Sequence, residues 1–165
     1  MNANAFRHFY NYHLSENRKI WDTYITPLSD EQFNRNAAYS HGSVRNQVLH
    51  LINVDDIWFS ELGNITPLEP VSSNANDVDD RNMIRAYWNR VEQRVRGYLA
   101  DLQDEMLFDK PIKEPDEDQG LIVWQVLLHM VNHGTDHRAQ LLRTLNDLGV
   151  KTTSQDYIFY VYDNP

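Results

Sequence analysis

The chain has 165 residues, of which 41% are hydrophobic and 24% charged, and its formal net charge is -9 at pH 7. This length predicts one domain over residues 1–165, because single cores are typically built from about 100–200 residues. The acidic balance argues against nucleic acid as a partner, since phosphate binding needs a basic surface. The sequence has no cysteine, so any metal ligands are nitrogen or oxygen atoms.

The predicted elements are four long helices, each marked by apolar residues at helical spacing. The first covers about residues 5–25, and the second runs from about Val44 to Leu62 behind Ser43, whose hydroxyl can cap its first turn. The third covers about 78–102. The fourth covers about 122–148 and is closed by Gly149.

The segments between the helices are predicted from proline, glycine and polar residues. Residues 63–77 form a long connection and the acidic run 114–118 a solvated loop. The aromatic stretch 157–162 is too apolar for water and is expected to pack on the helices or on a second subunit, as a strand or a short helix. The predicted fold class is all-α: a four-helix bundle with a long crossover connection and a short aromatic C-terminal segment.

Membrane and export segments are not indicated by the sequence. No window approaches the roughly 18 consecutive apolar residues of a membrane helix, and the N-terminus lacks the apolar stretch of a secretory signal. We therefore expect a cytoplasmic protein that has no membrane partner.

The fourth helix carries the most informative pattern, because His129, His133 and His137 recur every four residues. Side chains at this spacing lie one turn apart, so two of the imidazoles can share an ion. At about 100° per residue, His137 lies roughly 80°, His133 roughly 120° and His129 roughly 160° from the centre of the apolar stripe. His133 and His137 are therefore predicted at the margin of the core, and His129 towards solvent.

A third ligand must come from elsewhere, because a catalytic metal site usually takes three protein ligands and keeps an open position. His50 lies inside the second helix, where it can face the fourth. His8 and His13 in the first helix and His41 in a loop are weaker candidates. The alternative is that all these histidines are ordinary solvated or hydrogen-bonded side chains.

Two other metal motifs are excluded. A zincin needs glutamate directly after the first histidine, where the chain has Gly134, and a di-iron bundle needs glutamate three residues before a histidine, which none of the histidines has. Asp56, Glu61 and Asp136 are candidate proton-transfer groups.

Arg138 and Asp55 are predicted near the apolar stripes of the fourth and second helices. A buried cation without a partner is costly. The two side chains therefore either pair across the interior, which would fix the helices that carry the ligands, or each reaches water separately.

The run from Asn132 to Gln140, Asn-His-Gly-Thr-Asp-His-Arg-Ala-Gln, resembles the DinB family of bacterial metal-binding bundles, as do Ser43-Val-Arg, His50 and Trp58. The likeness spans nearly the whole chain, and Ala139 departs from the glycine common at that place. The resemblance implies a four-helix bundle, often a dimer, in which three histidines hold a divalent ion, commonly zinc or nickel. Those ligands fall on His50, His133 and His137.

The activity implied by the resemblance is less specific. Related branches transfer low-molecular-weight thiols such as bacillithiol or isomerise with mycothiol, and many members have no assigned reaction. We expect a divalent-metal-binding homodimer. It is either a metal-dependent thiol S-transferase or hydrolase, in which the ion activates a bound thiol or water towards a small electrophile, or a non-catalytic stress-response or interaction module.

Overall fold

The computed structural model describes residues 1–71 and 80–164. Over these residues the chain forms helices and no strand, which confirms the predicted all-α class. The α-helices are α1 (Ala3–Ile20), α2 (Asp30–Asn34), α3 (Val44–Gly63), α4 (Asp80–Asp101), α5 (Val123–Asp147) and α6 (Tyr157–Asp163).

Helix ends follow the capping residues closely. The Ser43 side chain accepts from the backbone N–H of Asn46 at the start of α3, as predicted. Gly149 ends α5 with φ +84°, a backbone conformation that glycine adopts without steric cost. The predicted first helix consists of two parts: α1 ends at Ile20, and residues Trp21–Ile25 follow directly as a π-helical turn.

The segments outside the four predicted helices have the following structure. The aromatic C-terminal stretch is a helix, α6, rather than a strand. The acidic loop contains one 3₁₀ turn, Asp116–Asp118. In the long connection after α3, residues 72–77 lie outside the described part of the chain, as does the predicted start of the third helix at residue 78.

The core lies among the four long helices. Helix α3 packs against α4 and α5, and α1 packs against the same two helices. The predicted apolar stripe of α5 faces this core, since Leu127, Val131 and Leu141 are fully buried. His133 and His137 lie at the margin of this stripe and are partly buried.

Candidate metal centre

Four histidines from three segments meet beside α3 and α5. His50 comes from the second turn of α3, His133 and His137 from successive turns of α5, and His41 from the loop just before Ser43. The His50 ring centroid lies 4.4 Å from that of His137 and 5.2 Å from that of His133. His133 and His137 are themselves 4.2 Å apart. The three predicted ligands are therefore neighbours in space.

The closest contact in this group fits a shared ion. The Nε2 atoms of His50 and His133 are 3.3 Å apart. Two imidazole nitrogens that each lie about 2.0–2.1 Å from one tetrahedral zinc ion are about 3.3–3.4 Å from each other. Imidazole nitrogen suits zinc, nickel and copper alike. The donor set thus fits a divalent ion without selecting one metal.

His41 also lies in this group, although the sequence made it a weaker ligand candidate than His50. Its ring stacks on that of His50, with centroids 3.8 Å apart and 19° between the planes. The ligand nitrogens of His41, His50 and His137 all lie within 4.8 Å of one another. This set shares two members with the predicted one and contains His41 where the prediction has His133. His133 approaches this second set at His50, through the 3.3 Å contact.

The environment favours the neutral, metal-binding form of these imidazoles. Desolvation and then the neighbouring histidines lower the pKa of His50 to about 4. The same causes lower the pKa of His133 to about 4, although Asp55 and Asp136 act in the opposite direction. Desolvation also lowers the pKa of His137. Protons therefore compete little with a cation at neutral pH.

His129 is exposed, as predicted, but it is not isolated. Its ring lies 5.8 Å from that of His133 and 5.6 Å, edge-on, from that of Trp58. A cavity of about 300 Å³ opens beside it, lined by Trp58, Asp118, Leu121, Gln125, Val126 and His129. The ring of His129 thus lies between His133 of the histidine cluster and a mostly apolar cavity.

Arg138 anchors α5 on the side of the helix that faces α1, and its side chain is fully buried. Its Nη1 donates to His13 Nδ1 and to Asn17 Oδ1, each at 3.0 Å. Its Nε donates to Gln155 Oε1 at 2.8 Å, and its Nη2 to Thr135 Oγ1 at 3.0 Å. Arginine has no acceptor, so His13 Nδ1 is the accepting nitrogen and Nε2 carries the ring proton. Helices α1 and α5 are therefore joined by a buried polar network.

The predicted relation between Arg138 and Asp55 is corrected by this network. Arg138 does not reach water, and the His13 ring separates it from Asp55, whose Oδ2 lies 3.6 Å from His13 Nε2. Both alternatives drawn from the sequence, a direct pair and two separate routes to solvent, are wrong for Arg138. The helical stripes could not show that a residue of α1 would enter between them.

Gly134 makes the room that His13 occupies. A Cβ atom added at Gly134 would lie 2.2 Å from Cε1 and 2.9 Å from Nδ1 of His13, and 3.2 Å from Nη1 of Arg138. Both neighbours are buried, so neither can move into solvent. The glycine between His133 and His137 is thus required by packing, and a glycine inside a helical pattern was the sequence signal for a close approach.

The three candidate proton-transfer groups differ in their surroundings. Asp56 is buried, accepts from the Leu68 backbone at 2.7 Å and pairs with Arg94 at 3.2 Å. Glu61 lies about 16 Å along α3 from His50, at 1.5 Å per residue. Asp136 is exposed and accepts from Gln140, and it lies between His133 and His137 on α5.

Comparison with known proteins gives matches over nearly the whole chain. The DinB family model matches residues 1–164, a span that includes every described helix and all four clustered histidines. Protein DinB of Bacillus subtilis (strain 168) is 22% identical over 166 residues, covering 96% of this chain and 94% of the relative. No helix in the described ranges is long and apolar enough to cross a membrane.

Proposed function

The chain belongs to the DinB family, and on this premise we propose that it binds a divalent metal ion through His50, His133 and His137. The observation that carries the proposal is the 3.3 Å separation of the Nε2 atoms of His50 and His133, which fits two ligands of one tetrahedral ion. The lowered pKa values of all three histidines support it, because a metal ligand must be unprotonated. Zinc or nickel is the expected ion.

The proposal includes the architecture that holds the site. We take α1, α3, α4 and α5 as a four-helix bundle in a single domain of residues 1–165, with the connection after α3 as its crossover. The reciprocal packing of α1 and α3 on α4 and α5 supports this arrangement. A bundle of this kind can hold an ion between facing helices, and the neighbouring rings of His50 on α3 and His133 and His137 on α5 support such a site.

We propose that the site acts on a small thiol or electrophile, as a low-molecular-weight-thiol S-transferase or a hydrolase. A divalent ion held by neutral imidazoles would supply Lewis-acid polarisation of a substrate atom. The cavity beside His129 and Trp58 offers apolar walls for the remainder of such a molecule, and Asp118 adds a carboxylate at its edge. The alternative is a non-catalytic metal-binding or stress-response module.

The surface of α6 favours an interaction role alongside either activity. Ile158 is 48%, Phe159 53% and Tyr162 70% exposed, so this helix presents aromatic and aliphatic side chains to solvent. Contiguous apolar surface of this kind is typical of protein contacts. We propose a homodimer, which light scattering of the wild type and of a Phe159→Ser variant would test. An unchanged monomer mass for both would contradict it.

Metal analysis of protein purified without a histidine tag tests the main proposal. We expect about one zinc or nickel ion per wild-type chain and its loss in His133→Ala. His8→Ala is the matched control: it also removes an imidazole, but the His8 ring packs against Tyr157 and Tyr160 of α6 and is not one of the proposed ligands. A metal-free wild type, or equal occupancy in His133→Ala, would overturn the site. With the metal confirmed, thiol-dependent consumption of a panel of electrophiles separates the enzyme from the binding module.

A further inference from the structure

We propose that His41 is a fourth protein ligand of the ion, in addition to His50, His133 and His137. This inference rests on the proposed metal site and deepens it. It names the group that fills the position which three histidines leave open.

The position of the His41 ring is the first argument. Its ligand nitrogen lies within 4.8 Å of those of both His50 and His137. Ligands of one tetrahedral zinc ion are about 3.3–3.4 Å apart, so the His41 nitrogen has to move closer by at most about 1.5 Å. His41 is exposed, and a small side-chain rotation covers that distance without disturbing the core.

The backbone on both sides of His41 is the second argument. Ser40 has φ +52° and Gly42 has φ +84°, so the residues that flank His41 both lie in the left-handed region. For a non-glycine residue this conformation costs about 1–2 kcal/mol and persists only where the surroundings impose it. At Gly42 a Cβ atom would also lie 2.5 Å from Asn36 Oδ1. The left-handed conformation of Ser40 is thus held by its surroundings, whereas Gly42 adopts it without steric cost.

The contacts that hold this loop run to the ligand helix. Ser40 Oγ donates to Oε1 of Gln140, which lies three residues after His137 on α5. Gln47 Nε2 donates to the Gly42 carbonyl at 3.2 Å and to Thr144 Oγ1 at 2.8 Å. The loop is therefore tied to α5 on both sides of His41. These contacts hold His41 beside the other three histidines, where its ring needs to turn out of the stack on His50 to point a nitrogen at a shared ion.

Four imidazoles would give a closed coordination shell, whereas three leave a place for a substrate. His41 differs from the other three because it is exposed and lies on a loop, so it is the ligand that an incoming molecule can replace. A thiolate is softer than imidazole and carries a full negative charge, and thiolates bind zinc strongly. The arrangement therefore suits a thiol as the entering group and disfavours weaker oxygen donors.

Side-chain NMR of protein with ¹⁵N-labelled histidine, titrated with Zn²⁺ alone, tests the inference directly. We expect the ring nitrogens of His41 to shift on zinc addition together with those of His50, His133 and His137. The His41→Ala variant identifies the His41 signals by their absence. His41 is exposed, so circular dichroism should show an intact fold for this variant.

Affinity for Zn²⁺, measured against a competing chelator, gives the second readout. Mutating a residue that only orients a ligand costs about 10–100-fold in metal affinity, so His41→Ala is expected to cost at least about tenfold. Added imidazole should restore part of this loss, and His8→Ala should show none.

The outcomes separate this inference from the proposed function. If three histidines shift, His41 does not, and His41→Ala binds Zn²⁺ as the wild type does, His41 is not a ligand although the metal site stands. If His41 shifts and His133 does not, His41 is a third ligand in place of His133, and both the proposed ligand set and the four-histidine shell are overturned. If no histidine shifts, the proposed site fails and the inference fails with it.

Discussion

Replacing Gly134 by alanine should destabilise the protein, although alanine is the better helix former. The added methyl group would lie 2.2 Å from Cε1 of His13, a separation that real Cβ contacts do not reach. His13 is 1% exposed and is held from its other side by Asp55, so it cannot swing into water. The imidazole must move against packed neighbours, and its hydrogen bond with Arg138 must lengthen or break.

The expected magnitude follows from three contributions. Overpacking a core by one methyl group costs about 1–3 kcal/mol. A buried hydrogen bond to a charged group such as Arg138 contributes about 1.5–3 kcal/mol, which is partly or wholly lost. The helix propensity of alanine over glycine offsets about 1 kcal/mol. We expect Gly134→Ala to lower the free energy of unfolding by roughly 2–4 kcal/mol.

Urea denaturation of metal-free protein provides the assay, and Gly97→Ala provides the control. Gly97 lies within α4, and a Cβ atom there would meet no atom within 4 Å. This variant should gain about 0.5–1 kcal/mol. In a His13→Ala background the imidazole is absent and only the 3.2 Å approach to Nη1 of Arg138 remains, so Gly134→Ala should cost much less than in the wild type. An unfolding midpoint for Gly134→Ala at or above that of the wild type would refute the packing of His13 against α5.

Three further outcomes are expected. Desolvation lowers the pKa of His13 in the folded chain, so the unfolded chain binds more protons as the pH drops below about 6.5, and stability falls there. A His13→Gln variant should show a smaller change in urea midpoint between about pH 7.5 and pH 5.5 than the wild type. Arg138→Met should lower the free energy of unfolding, measured by urea denaturation, by at least about 3 kcal/mol, because His13, Asn17 and Gln155 lose their donor. A decrease of less than about 1 kcal/mol would contradict the buried polar network. Zn²⁺ at about 100 times its dissociation constant should stabilise the wild type by ~2.7 kcal/mol in thermal unfolding, reversibly with chelator, and should not stabilise His133→Ala.

Helical periodicity predicted the parts of the site that lie on one helix. The spacing of His133 and His137 and their angle from the apolar stripe placed both at the core margin, and both are partly buried there. The family resemblance, rather than a physical argument, supplied His50. The structure places its ring beside both others.

Features that depend on contacts between distant segments could not be predicted in the same way. His41 lies in a loop, where periodicity gives no direction, and its place is fixed by Ser40 and Gln47 contacts with α5. His13 lies in an aromatic helix whose rotation relative to α5 is set by the gap at Gly134. Gly134 marked a close approach to α5, but the sequence could not identify His13 as the residue that makes it.

Gln155 gives the segment after α5 a part in holding the helices that precede it. Its side chain accepts from Arg138 and donates to the Thr135 carbonyl at 3.2 Å, and its own carbonyl accepts from the Tyr12 hydroxyl. For protein engineering this makes residue 155 a boundary. A truncation that removes α6 but keeps Gln155 leaves the hydrogen bonds between Gln155 and α5 in place, whereas one that ends before Gln155 removes the acceptor of Arg138 Nε and exposes this buried arginine to water.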